Sequence, residues 1–190
     1  MPSIVELVLK ERGAWPPVPP ALADAQRRMM PYPVMNLLDR IGSEEALEDV
    51  WAEPSPVPGW TYHNLLAHIA SGDWVCQGVL RTVLAGGSLD AFVAGLDLDA
   101  RNAALVAERR DASVATLAHE YVSMRWETFH LMSRLPPEAL RETVIPWDGR
   151  HAARPDRERQ TLQEYLEGFW RHDAHHAAQL ETALARREET

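Results

Sequence analysis

Apolar positions recur at helical spacing along most of this chain, and almost nowhere do they alternate as a half-buried strand requires. A short helix is predicted over residues 4–12, because Ser3 and Glu6 have capping-box spacing and Gly13 is a natural stop. The proline-rich stretch from Trp15 to Pro20 reads as an extended linker packed on the domain surface. Residues 21–41 form the first long helical segment, with Leu22, Met29, Val34, Leu37, Leu38 and Ile41 among its apolar positions. Pro31 and Pro33 predict a break within it, since proline removes a donor and clashes with the preceding turn. A short helical turn from Ser43 and a loop from Glu53 to Gly59 lead to the next element.

The second long helix opens at Trp60–Thr61, with Thr61 as N-cap, and closes at Gly86–Gly87. Its apolar stripe is Leu65, His68, Gly72, Val75, Cys76, Val79 and Val83, and its outer face carries Asp73, Trp74, Gln77 and Arg81. Residues 88–112 form a long connection holding a short helix near 99–109. A connection of that length lets two consecutive bundle helices run parallel. Ser113 caps a third helix running to about Arg134, with the stripe Val114, Leu117, Ala118, Tyr121, Val122, Phe129 and Met132. Arg125 falls in the middle of that stripe, where a structural ion pair is the first expectation and an anchor for an anionic substrate the second. His119 and His130 project to the other side, toward solvent.

After Pro136–Pro137, residues 138–160 read as irregular and include Trp147 and the basic cluster Arg150, His151, Arg154, Arg157 and Arg159. Thr161 and Glu164 make a capping box for the last helix, expected over Thr161–Arg187. Tyr165, Phe169, His172, His176 and Ala183 share its inner face, and Glu164, Glu167, Arg171 and Glu181 lie opposite. The pattern predicts an all-α, four-helix bundle domain over 21–190, preceded by an extension over 1–20.

Composition narrows the function classes. A formal net charge of -9 over 190 residues argues against a nucleic-acid partner and against an anionic membrane surface. No apolar run reaches the length of a membrane span, and the N-terminus lacks the pattern of a signal peptide. One cysteine, Cys76, excludes an intramolecular disulfide, and the cytoplasm is the expected location. Cys76 sits among valines and reads as a core thiol rather than a nucleophile. Glu127-x-x-His130 alone resembles a di-iron pair and faces away from the stripe, so that chemistry is rejected. Asp173 is expected off the ligand face, which disfavours a phosphohydrolase site.

His172 and His176 are four residues apart, so they stack on one helix face as two metal ligands or as two hydrogen-bonded core rings. His68 supplies a third inward imidazole from the second helix. Three histidines with one open position are the donor set of catalytic rather than structural zinc, and they suit nickel and iron as well.

These residues also carry a family resemblance. The stretch from Gly59 to Ala70, with His68, resembles the start of the second helix in the DinB/YfiT-like superfamily. His172-x3-His176-x2-Gln179 resembles its last-helix signature. Asn102 to Ser113 resembles the segment before the third helix in that group and in the related N-terminal domain of mycothiol-dependent maleylpyruvate isomerase. The resemblance spans roughly residues 21–187. It implies a four-helix bundle in up-down-down-up order with a long crossover between helices 2 and 3, often a homodimer. It also implies a divalent metal, zinc or nickel foremost and iron as a further option, held by His68, His172 and His176. The activity implied is a metal-dependent thiol S-transferase joining a low-molecular-weight thiol to small electrophiles. A metal-dependent hydrolase, or a bundle that binds or sequesters a small molecule without catalysis, are the alternatives. Arg125, His175 and Trp147 are the candidates for other roles at the site. Three departures stand out: Ala177–Ala178 replaces a frequent Arg-Gly, His175 is an additional imidazole, and the proline-rich extension lies outside the pattern.

Overall fold

The computed structural model describes residues 2–41, 50–146 and 160–188, and the chain is mostly helical. The turn at Ser43, Trp147 and the basic cluster over 150–159 lie outside the described residues, as does the side chain of Ala183.

Helix α1 (Ile4–Arg12) starts at the expected capping box: Ser3 Oγ accepts from the Glu6 N–H, and Glu6 Oε2 accepts from the Ser3 N–H at 2.7 Å. It ends at Gly13, whose φ of 91° lies in the range that favours glycine. A 3₁₀ turn at Pro20–Leu22 leads into α2 (Ala23–Met29) and α3 (Tyr32–Ile41), and the break between those helices falls at Pro31 as anticipated. The extension lies on the domain: Val5 and Val8 are buried, Trp15 meets Phe129 edge-on at 5.6 Å, and Trp126 Nε1 donates to the Ala14 carbonyl.

The second long helix is two helices. The first, α4 (Tyr62–Ser71), begins at the Thr61 N-cap, where Thr61 and Asn64 form a capping box. The second, α5 (Asp73–Leu84), follows Gly72, whose N–H turns back to the Ile69 carbonyl at 3.1 Å. The connection that follows contains α6 (Leu89–Ala94) and α7 (Leu98–Glu108), one helix more than anticipated. Helix α8 (Val114–Ser133) is capped by Ser113 and buries every apolar position named for it above. A four-residue helix, α9 (Ala139–Glu142), precedes β1 (Val144–Ile145), which pairs antiparallel with β2 (Gln160–Thr161). The chain ends in α10 (Leu162–Glu188), with Thr161 and Glu164 bonded as a capping box.

Helix α8 packs on α1, α4 and α5, and α10 packs on α2, α3 and α4, so α4 touches both long helices. The apolar core falls into two groups. One gathers Leu65, Leu66, Leu117, Tyr121 and Leu180; the other gathers Met29, Cys76, Leu80, Phe129 and Leu166. No described helix is long and apolar enough to cross a membrane.

Several outward assignments are corrected. Asp73 and Gln77 are buried at 3% exposure, because the inner stripe of α5 runs through Asp73, Cys76, Gln77 and Leu80. Trp74 is half-buried, with the Arg101 guanidinium 4.6 Å from its ring centre. His130 is half-buried and stacks on Trp126, whereas His119 keeps much of its side chain in solvent, as expected, 3.3 Å from Glu11. Cys76 is a buried free thiol as expected, and burial pushes its pKa up.

Candidate metal centre

Helix α10 places His172 and His176 one turn apart, and α4 brings His68 against them. One ring nitrogen from each of the three lies within 4.8 Å of the others. The Nε2 atoms of His68 and His172 face each other at 3.1 Å. The ring centres of His68 and His176 are 4.8 Å apart, and those of His172 and His176 are 4.6 Å apart.

On His172 and His176 the other ring nitrogen is engaged elsewhere. His176 Nδ1 meets Gln179 Oε1 at 2.7 Å, and His172 Nδ1 meets Asp173 Oδ1 at 3.3 Å. With Nδ1–H donating outward on those two rings, each presents its Nε2 lone pair to the shared point. At 3.1 Å the two Nε2 atoms are bridged by a proton on His68 or, with both lone pairs free, by a cation. The donor set therefore fits a divalent ion.

Burial, and then the neighbouring imidazoles, hold the pKa of His68 down to about 3. The same causes hold His176 at about 4 against the Gln179 hydrogen bond, which acts the other way. Both rings are thus neutral near pH 7, as ligation requires. In the unfolded chain they titrate at an ordinary imidazole value, so below about pH 6.5 the unfolded state takes up protons that the fold refuses. The metal-free protein should therefore be most stable above that pH and should lose ~1.4 kcal/mol per ring for each unit of descent toward pH 4. Urea unfolding of chelator-treated protein at neutral pH and near pH 5 measures this, and a flat profile contradicts it.

Gly72 explains how the rings come so close. A Cβ on it would lie 2.8 Å from His172 Cε1, so the His172 ring occupies the space that a side chain would fill. Trp60 meets the His68 ring edge-on at 5.1 Å, and Phe169 lies parallel to the His172 ring at 6.2 Å.

Behind the histidines lies the buried ion pair expected of Arg125, with two partners, Asp73 and Asp173, that the sequence did not reveal. Arg125 is fully buried and grips Asp73 through two bonds, Nε to Oδ2 and a terminal nitrogen to Oδ1, each 2.8 Å. The same terminal nitrogen reaches Asp173 Oδ2 at 2.7 Å, and the other donates to the Met29 carbonyl. Tyr121 donates to Asp173 Oδ2 at 2.8 Å, and Thr128 donates to Asp73 Oδ2 at 2.7 Å. Burial disfavours the Asp173 charge, but Arg125, His172 and Tyr121 outweigh it and hold the carboxyl below its usual range. Two carboxylates against one guanidinium leave an excess negative charge beside the histidines, which favours a cation there.

Of the other candidates, Arg125 is enclosed in this network. His175 is exposed beside His176, its ring centre 5.1 Å away, and does not join the three converging nitrogens. Glu127 pairs with Arg81 at 3.2 Å, consistent with rejecting a di-iron site.

Comparison with known families adds one decisive match. Residues 36–166 fit the family model described as the mycothiol maleylpyruvate isomerase N-terminal domain, more than half of the chain. The chain belongs to that family. The mycothiol maleylpyruvate isomerase N-terminal domain family is part of the DinB/YfiT-like superfamily. The matched stretch contains His68, Gly72 and Arg125 and ends before His172 and His176. No curated protein and no solved structure matches the chain significantly.

Proposed function

We propose that the protein holds a divalent metal ion on Nε2 of His68, His172 and His176 and acts as a metal-dependent thiol S-transferase on small electrophiles. The observation that carries this reading is the convergence of three ring nitrogens within 4.8 Å, two of them with their far nitrogens already bonded to acceptors. Membership of a mycothiol-related family supports a thiol as co-substrate. The long connection between α5 and α8 supports the up-down-down-up bundle that the superfamily implies.

When bound, a divalent ion with one open position lowers the pKa of a thiol that ligates it and so supplies a nucleophile near neutral pH. The chain's own residues do the rest. Asp173 and Gln179 accept the Nδ1 protons, and Gly72 admits the His172 ring. Trp60 and Phe169 flank the histidines with apolar surface that limits water. Zinc or nickel fits three neutral imidazoles best, with iron a further possibility.

Metal analysis of protein purified without added metal should find an equimolar divalent ion, absent from His176→Ala. Mycothiol, bacillithiol and glutathione are then each tested for conjugation to a chromogenic electrophile, with turnover expected for at least one and abolished by His176→Ala. Metal-free wild-type protein sinks the reading. Bound metal without conjugation reduces it to a non-catalytic small-molecule binder, and bound metal with ester turnover alone makes it a hydrolase.

A further inference from the structure

Asp173 touches the histidine cluster without offering it a ligand atom, and its chemistry leaves one orientation for the ring beside it. We propose that Asp173, clamped by Arg125 and Tyr121, is a positioning residue that fixes His172 as its Nδ1–H tautomer and so aims the Nε2 lone pair at the other two rings. With Tyr121 and Arg125 both donating to it and Arg125 as its counter-charge, the carboxyl group serves as an acceptor only, so a ring nitrogen that bonds to it must carry the proton. Its Oδ2 is occupied by the Tyr121 hydroxyl at 2.8 Å and by Arg125 at 2.7 Å. Only Oδ1 is left for His172 Nδ1, at 3.3 Å. Gln179 meets His176 Nδ1 through its oxygen in the same sense, but an amide also carries a donor and so holds that tautomer less strictly than a carboxylate does.

The clamp is itself anchored. Arg125 is tied to Asp73 by two bonds and to the Met29 carbonyl, so the carboxylate orientation depends on α2, α5 and α8 as well as on α10. An acceptor bonded to the far N–H of a ligating histidine fixes the tautomer of that ring. The purpose of the arrangement rests on the metal reading above, but its readout does not.

Asp173→Asn is close to isosteric and reverses the logic. Two donors point at the Oδ2 position, so the amide oxygen settles there and the NH2 faces His172 Nδ1. The ring then accepts at Nδ1 and carries its proton on Nε2, with no lone pair for an ion. Imidazole 15N NMR of the metal-free protein at about pH 8, above the ordinary imidazole range, reads this directly. Resonances lost in His172→Gln identify the ring.

The expected result is Nδ1–H in the wild type, Nε2–H in Asp173→Asn, and zinc affinity in the variant weaker on the order of 10–100-fold by chelator competition. Tyr121→Phe leaves Arg125 on Oδ2 and should keep the wild-type tautomer. A purely structural role would alter stability without reversing the ring. An Nε2–H ring in the wild type, or Asp173→Asn with Nδ1–H and undiminished zinc affinity, overturns the proposal. If Asp173→Asn does not fold, the wild-type spectrum alone decides. A wild type that shows the Nδ1–H ring yet binds no zinc sinks the metal reading and leaves the positioning role standing.

Discussion

Replacing Arg125 with alanine should cost on the order of 3–5 kcal/mol of folding stability, whatever the protein binds. The side chain is fully buried and is the counter-charge for two carboxylates almost withdrawn from water. Without it, Asp73 and Asp173 repel each other across a dry interior, and the Met29 carbonyl loses its donor. Lysine should rescue little, since one ammonium cannot repeat the two-point grip on Asp73. Adding Asp73→Asn to the alanine variant removes half of the excess charge and should recover part of the loss, a coupling that a double-mutant cycle measures. Chemical denaturation of the wild type, Arg125→Lys, Arg125→Ala, Asp73→Asn and the double variant is the check. A loss below about 1 kcal/mol would mean that water enters and solvates the carboxylates.

This network spans both halves of the core, contacting Tyr121 in one apolar group and Met29 in the other. A salt bridge at such a junction is weak evidence for stability, because two well-packed apolar residues would serve as well. What it contributes is geometry, since a guanidinium bonded on both sides fixes how α2, α5, α8 and α10 meet. The histidines sit on that junction. A site that needs three nitrogens aligned to a fraction of an ångström gains from being built on a rigid polar knot rather than on interchangeable aliphatic contacts.

Sequence periodicity revealed the helices because caps and breakers are local. Ser3, Thr61, Ser113 and Thr161 each bond to a backbone N–H within their own turn, or pair with a residue three positions on, so the signal lies within a few residues. The α8 stripe was legible for the same reason, since its apolar residues repeat without interruption. The stripe of α10 was not. Its buried positions among the described side chains are Leu162, Leu166, Asp173, His176 and Leu180, a spacing that runs straight through an aspartate. Reading every charged residue as outward rotates that stripe toward Tyr165 and His172 and loses Asp173. The same assumption put Asp73 and Gln77 on the outside of α5. Only the long-range partner shows otherwise: Arg125 lies 52 positions from Asp73 and 48 from Asp173, beyond any local pattern. An arginine centred in an apolar stripe was the available clue, because such a residue must find buried acceptors.

Gly72→Ala should separate folding from metal binding. Gly72 has φ -60° and ψ -29°, angles that alanine adopts without strain, so the backbone should hold or gain roughly 0.5–1 kcal/mol. The added methyl has nowhere to go, since it would lie 2.8 Å from His172 Cε1 and 3.3 Å from Nδ1. Carbon atoms pack at about 3.5–4.0 Å, so the ring must retreat by several tenths of an ångström or more. Metal–ligand distances tolerate about 0.2 Å. Zinc affinity should therefore fall on the order of 10–100-fold, the range seen when ligand orientation is lost. The metal-free variant should meanwhile melt no lower than the wild type. Chelator competition and thermal unfolding of the metal-free protein measure the two sides independently. Wild-type affinity in Gly72→Ala would show that the His172 ring shifts without cost, and the convergence of the three nitrogens would then not depend on the close approach of α4–α5 to α10.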